Sequence, residues 1–209
     1  VAVIGAGHWG PNLIRTFHQS LRAEVAWVVD SDPARLAKVH ERFPGLAVTQ
    51  DAAEALSDPT VDAVVVATPT VTHYDLVAEA LRQGKHAFVE KPFASTSVQG
   101  QALCELADAN GLTLMVGHVF VHNSAVRHIK QSIHAGRLGR LYYVSMQRTN
   151  LGPIRMDVNA AWDLASHDIS IVSYWLDAEP VSVSAQGGHW INDGLYDAVF
   201  ATLRYPGEI

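Results

Sequence analysis

Three glycines, Gly5, Gly7 and Gly10, stand as G-x-G-x-x-G directly behind an apolar run, Val1 to Ile4, and directly ahead of a helix-period segment led by Pro11. In that setting the first glycine permits a tight turn, the second lets the backbone approach a pyrophosphate, and the third lets a helix press against a strand. The helix N-terminus then offers unbonded N–H groups to an anion. Asp30 follows the third glycine by twenty residues, at the end of the next apolar run. A carboxylate there can hold both hydroxyls of an adenosine ribose, and it repels a 2'-phosphate. No arginine comes directly after it, the nearest being Arg35, so the expected cofactor is NAD rather than NADP. The bland alternative gives the glycines to a turn and Asp30 to the cap of the following helix.

Further along, Ala67-Thr68-Pro69-Thr70 closes another apolar run, at the sheet edge where ligands of such folds bind. Thr68 and Pro69 either flank the cofactor there or form an ordinary strand exit. Glu90-Lys91-Pro92 follows the next run at the same edge. Lys91, held by the fixed φ of the proline after it, would point its ammonium at the nicotinamide end of the cleft; a solvated lysine is the alternative. Asp163 and His167 are four residues apart, a spacing that puts both on one helix face or its first turn. An imidazole with an unperturbed pKa near ~6.5 takes a hydroxyl proton at neutral pH, and a neighbouring carboxylate orients it. The same two residues would otherwise be a helix cap and a core histidine, with Asp168 a first-turn acid.

Arg148 and Arg155 flank a loop rich in Asn and Gly. They suit a phosphate or a carboxylate, or surface salt bridges. His118 and His122 are also four apart, but Val119, Phe120 and Val121 between them read as strand or apolar lining. Strand spacing does not bring such a pair onto one ion, so no metal is expected. Trp162, Trp175 and Trp190 read as core.

The elements that must position these groups alternate regularly up to Gly117. Short apolar strands are expected at 1–4, 25–29, 46–48, 64–67, 87–89 and 114–116. Helices are expected from Pro11 to about 20, from Asp32-Pro33 to about 43, after Asp51, and at 72–83 and 97–110. Asp51 and Glu54 have the spacing of a capping box. Strands alternating with helices imply parallel βαβ units in an open, doubly wound α/β sheet. After Gly117 the rhythm changes. Helices at 124–135 and 167–176 accompany long alternating strands at 141–149, 181–187 and 198–205, the pattern of a mainly antiparallel open sheet in an α+β domain. The expected division is 1–118 for cofactor binding and 119–209 for substrate binding and oligomerisation.

The 209 residues are 48% hydrophobic and 17% charged, enough for substantial cores and too apolar for disorder. A net charge of −6 without a basic run removes nucleic acid and anionic membrane surfaces as expected partners. The single Cys104 excludes a disulfide framework and suits a reducing compartment, so the cytoplasm is expected. Val1 opens inside a core strand and the chain stops after Tyr205-Pro206-Gly207; both ends read as cut and the second sheet as incomplete.

Gly5-Ala6-Gly7-His8-Trp9-Gly10-Pro11-Asn12, Ala67-Thr68-Pro69-Thr70 with His73, Glu90-Lys91-Pro92 and Asp163-x-x-x-His167-Asp168 together resemble the Gfo/Idh/MocA family of NAD(P)-dependent oxidoreductases. The resemblance covers the whole chain and implies a Rossmann domain followed by an α+β domain. It implies Lys91 and His167 as the catalytic pair, with Asp163 assisting and Glu90 near the nicotinamide. It adds His8, Trp9, Thr68, Pro69 and His73 to the expected cofactor site. Gln147 to Gly152, with Arg155, Asp157 to Ala160 and Trp162, is similar to the branch acting on nucleotide sugars, including UDP-N-acetylglucosaminuronate 3-dehydrogenases. That likeness implies Arg148, Asn150, Arg155 and Asn159, with Lys91, Asp163 and His167, as substrate-binding residues. Asp163 and Ser166 stand where that branch would carry asparagine and proline, and Asp163 is nearer to the inositol and polyol dehydrogenases. The expectation is NAD-dependent oxidation of a secondary hydroxyl of a sugar or nucleotide sugar, a UDP-sugar acid foremost, in a homo-oligomer assembled through the second sheet. The alternatives are a polyol or free-sugar dehydrogenase, a silent NAD sensor and a structural subunit.

Overall fold

Val3, Val28 and Val65 point to one face of a sheet, and Ala2, Ile4, Val64 and Val66 to the other; all are at most 3% exposed. Strands covered on both faces need no polar alternation, which is why they read as continuous apolar runs. A computed structural model describes residues 1–149, 157–191, 193–207 and 209, and the chain divides into the units Val1–Gly117 and His118–Ile209.

The first unit runs β1 (Ala2–Ile4), α1 (Gly10–His18), β2 (Trp27–Val29), α2 (Pro33–Arg42), β3 (Ala47–Thr49), α3 (Ala52–Ser57), β4 (Ala63–Val66), α4 (His73–Arg82), β5 (His86–Val89), α5 (Ser97–Ala109) and β6 (Leu114–Val116). The six strands are parallel in the order β3-β2-β1-β4-β5-β6, so the winding direction reverses between β1 and β4. Such a reversal opens a crevice outside the carboxyl ends of the strands. Ile14, Leu36 and Val39 from α1 and α2 cover one face; Leu56, Val77, Leu81 and Leu103 from α3, α4 and α5 cover the other. Burying each such side chain contributes about 1.5–3 kcal/mol.

Helix starts follow local chemistry. Asp32 caps α2 at the Ala34 N–H (2.8 Å) and Thr96 caps α5 at the Gln99 N–H (3.2 Å). Asp51 caps α3 at the Ala53 N–H (2.9 Å), but the expected capping box closes through an extra hydroxyl. The Asp51 N–H donates to Thr49 Oγ1, and that hydroxyl donates to Glu54. In contrast, α1 begins after Trp9 with no side-chain cap at all.

In the second unit a 3-10 turn (Val119–His122) leads into α6 (Ser124–His134). A π-helical turn (Ala161–Ala165) runs straight into α7 (Ser166–Leu176), and β7 (Ser182–Gly188) pairs antiparallel with β8 (Ala198–Arg204). The two helices are tied by Trp175 Nε1–H to the Val126 carbonyl (2.9 Å) and by a Lys130–Asp177 ion pair. Three expectations change here. Residues 141–149 form no ladder among the described residues: alternation assigns faces, but a strand also needs a partner for its N–H and C=O groups. Val119 to His122 is a tight turn rather than extended lining. Trp162 and Trp190 are 41% and 75% exposed rather than core, and Trp190 lies against the bare Cα of Gly188.

A Cβ on Gly10 would stand 1.9 Å from the Gly5 carbonyl oxygen, whereas one on Gly45 would meet nothing within 4 Å. Gly10→Ala should therefore destabilise by about 3 kcal/mol, and Gly45→Ala should be neutral or stabilise by about 0.4–1 kcal/mol. Urea unfolding of the two variants beside the parent checks both; equal midpoints would refute the packing argument.

Candidate active site

The turn after β1 is shaped by what its glycines exclude. Gly5 has φ +104°, and a Cβ there would lie 2.6 Å from the Ala67 carbonyl oxygen. Gly7 differs, since a Cβ on it would meet only the Arg35 guanidinium, at 3.5 Å. Its missing side chain leaves room that the fold itself does not use. The uncapped start of α1 lies in the same loop, so backbone N–H groups are presented to an anion.

Asp30, at the carboxyl end of β2, is 6% exposed. Its carboxylate accepts from the Ala6 N–H (2.7 Å) and the Asp32 N–H (2.9 Å) and pairs with Arg35 (3.4 Å). The helix cap is thus Asp32, and Asp30 clamps the glycine loop. The sequence reading noted Arg35 only as the arginine nearest to Asp30, not directly after it. It lies beside Asp30, Asp32 and Gly7, and with Lys38 and His8 it lines a cleft of about 410 Å³. The signal was present in its i, i+3 spacing from Asp32.

At the carboxyl end of β4, Thr68 and Pro69 lead into a 3-10 turn, Thr70–Thr72. The Thr72 hydroxyl lies 2.7 Å from Thr68 Oγ1 and 2.8 Å from the Pro69 carbonyl oxygen. His73 is 1% exposed, its Nε2 2.9 Å from the Thr68 carbonyl oxygen and its Nδ1 2.9 Å from that of Pro92. Glu90 and Lys91, both half-buried, leave β5 beside them, and the Lys91–Pro92 peptide is cis.

The Glu90 carboxylate accepts from the Lys91 N–H (3.2 Å), while its Oε1 is buried without a hydrogen-bond partner. Burial raises the Glu90 pKa above the ordinary glutamate value, opposed by the Lys91 N–H, the Trp9 indole and the Lys91 charge. Gly117 leaves space for it, since a Cβ there would come within 3.1 Å of the carboxyl. Sequence reasoning missed Gly117, whose requirement comes from a residue on another strand. A buried acceptor lacking a donor, an open N-terminus and the room at Gly7 fit a dinucleotide carrying phosphates and a carboxamide.

In the second unit, Asp163 sits in the π turn and His167 in the first turn of α7. The Asn159 side chain caps this stretch by accepting the Trp162 N–H (2.9 Å), and its carbonyl accepts the Asp163 N–H (3.0 Å). The His167 ring meets Phe120 edge-on at 4.7 Å, and the Arg148 guanidinium lies over the same phenyl ring at 4.9 Å. Arg148 donates through Nε (3.0 Å) and Nη2 (2.7 Å) to Asp168. Burial lowers the His118 pKa below the ordinary histidine value. Asn150 and Arg155 lie outside the described residues. The structure therefore gathers Gly5, Gly7, His8, Trp9, Gly10, Asp30, Thr68, Pro69, His73, Glu90 and Lys91 along one sheet edge, and Arg148, Asn159, Asp163 and His167 around the start of α7.

Residues 1–118 match the NAD-binding Rossmann domain of the oxidoreductase family Gfo/Idh/MocA, and residues 126–209 match that family's C-terminal domain. The chain belongs to the Gfo/Idh/MocA family. The NAD cofactor expected from Asp30 agrees with this membership. Scyllo-inositol 2-dehydrogenase (NAD(+)) of Bacillus subtilis is 32% identical over 89% of this chain and 56% of its own length. UDP-N-acetylglucosamine 3-dehydrogenase of Acidithiobacillus ferrooxidans is 31% identical over 91% of this chain and 58% of its own. The chain thus spans a little over half the length of these relatives. GenD2 from gentamicin A biosynthesis, solved in complex with NAD, superposes with a TM-score of 0.86 at 26% identity, covering 98% of this chain and 62% of that one. Among the described residues no helix is long and apolar enough to cross a membrane.

A carboxyl whose folded pKa is raised keeps its proton in the folded state at pH values where the unfolded chain has lost it, so stability falls as pH rises through that window. Glu90→Gln should flatten this fall and lose nothing at neutral pH. Urea midpoints measured from acid to neutral pH check it; a variant with the parent's slope would refute the assignment.

Proposed function

We propose that the protein oxidises a secondary hydroxyl on a sugar or cyclitol ring, using NAD. The observation that carries the reading is the placement of Lys91 at the carboxyl end of β5, on the same sheet edge as the glycine loop and Asp30. NAD, when bound, supplies the acceptor for the hydride of the carbinol carbon. Lys91 orients the hydroxyl oxygen and stabilises the negative charge that develops on it. His167 accepts the hydroxyl proton, and Asp163 holds the imidazole.

The ring itself has two readings. Arg148 is committed to Asp168, and Asn159 uses its side-chain oxygen as a cap, which favours a polyol without phosphates. The likeness of Gln147 to Trp162 to the nucleotide-sugar branch supports the second reading, a UDP-sugar acid held by Arg148, Asn150 and Arg155. The exposed Val183 and Phe200 of the β7–β8 sheet support assembly of copies through that sheet as part of the proposal.

The test is NADH absorbance with the full-length protein, NAD and a panel of inositols, free hexoses, UDP-sugars and UDP-sugar acids. Turnover of polyols alone supports the first reading, turnover of the UDP-linked acids alone supports the second, and tight NAD binding without turnover makes the protein a sensor. Lys91→Ala and His167→Ala should each lose about 10²- to 10⁴-fold in turnover while retaining NAD binding. Unchanged turnover in either variant would end that residue's assignment.

A further inference from the structure

The ladder of the parallel sheet lets go just where the chemistry begins. The Ala67 N–H to Ile4 carbonyl bond (2.8 Å) and the Glu90 N–H to Val66 carbonyl bond (2.9 Å) are the last sheet bonds of β4 and β5. Beyond them Pro69 and Pro92 have no N–H to offer, so both exits need side chains to fix them. On the β4 side Thr72 supplies a local tie. His73 reaches further: its ring, almost fully buried at the start of α4, sets one nitrogen against each exit, at 2.9 Å from Thr68 O and 2.9 Å from Pro92 O. The Pro92 contact joins residues nineteen apart in the chain. Both ring nitrogens face backbone, so His73 acts on a ligand through the two loops it holds.

We propose that His73, with both ring nitrogens protonated so that each can donate to a carbonyl, is a positioning residue with two separable tasks: Nδ1–H fixes the Pro92 carbonyl and thereby Lys91, while Nε2–H fixes the Thr68 carbonyl and thereby the Thr68–Pro69 edge. The proposal rests on the reading above, in which Lys91 acts on the hydroxyl and Thr68–Pro69 flanks NAD. An asparagine amide stands where Nδ1 stands, and a glutamine amide reaches where Nε2 stands. His73→Asn therefore keeps the Pro92 tie and releases Thr68, and His73→Gln keeps the Thr68 tie and releases Pro92.

In the full-length protein, His73→Asn should speed amide exchange at Thr68 and Thr70 and raise the KM for NAD about tenfold, the equivalent of one lost hydrogen bond, with kcat nearly unchanged. His73→Gln should speed exchange at Lys91 and Phe93 and lower kcat by about 10²-fold, as expected for a displaced reacting group, with the KM for NAD nearly unchanged. His73→Ala should show both effects. Two variants that loosen the same loops, or that lower only the melting temperature, would overturn the proposal. If the parent turns over nothing in the substrate panel, the dehydrogenase reading fails by itself, and the exchange pattern still decides whether the two ties are separate.

Discussion

Gly10 lies so close to the Gly5 carbonyl that no side chain fits between them, and the rest of the first unit is arranged around this contact. It presses the first turn of α1 against the end of β1. The loop between them is short and takes a positive φ at Gly5, and its Gly5 and Ala6 amides are bound within the fold, to the Val29 carbonyl and the Asp30 carboxylate. A glycine loop of this kind has little hydrophobic surface to hold it. Its shape depends on the Asp30 carboxylate reaching from β2 to the Ala6 N–H.

The same solution recurs along the sheet edge. Where parallel strands end, backbone groups of neighbouring loops are held by polar side chains from elsewhere in the chain: Asp30 for the β1 exit and His73 for the β4 and β5 exits. Buried hydrogen bonds to charged groups contribute about 1.5–3 kcal/mol each, and unlike packing they fix direction. Among the described residues of the first unit, a buried side-chain atom without a hydrogen-bond partner lies at this edge, the Oε1 of Glu90.

Much of this was legible in the sequence because it is local. The valine runs, Gly5, Gly7 and Gly10 before a helix, and Asp30 at a fixed distance all act within a few residues or one βαβ unit, and they led to the parallel sheet and the NAD site. What was illegible depends on contacts distant in sequence. Lys85, of a residue type that is mostly exposed, is 5% exposed and donates to the Asp58 and Val61 carbonyls. Arg148 finds Asp168 twenty residues away, and Gly117 is needed by the Glu90 side chain. Residues 141–149 show the limit from the other side, since a strand-like pattern cannot name its partner. The π turn before His167 leaves no mark in the pattern, because inserting one residue per turn changes geometry without changing composition.

The bare N-terminus of α1 carries a further meaning. Among the described helices, α2, α3, α5 and α6 complete their first turn with an aspartate, asparagine or threonine of their own, whereas α1, α4 and α7 have no side-chain cap, and of these three α1 is the one that begins at the glycine loop. A ligand that binds only the folded form adds about 2.7 kcal/mol at a hundred times its dissociation constant. A dinucleotide seated on the start of α1 would therefore stabilise the fold that holds it. Resistance of the folded protein to proteolysis would then rise with the NAD concentration around it.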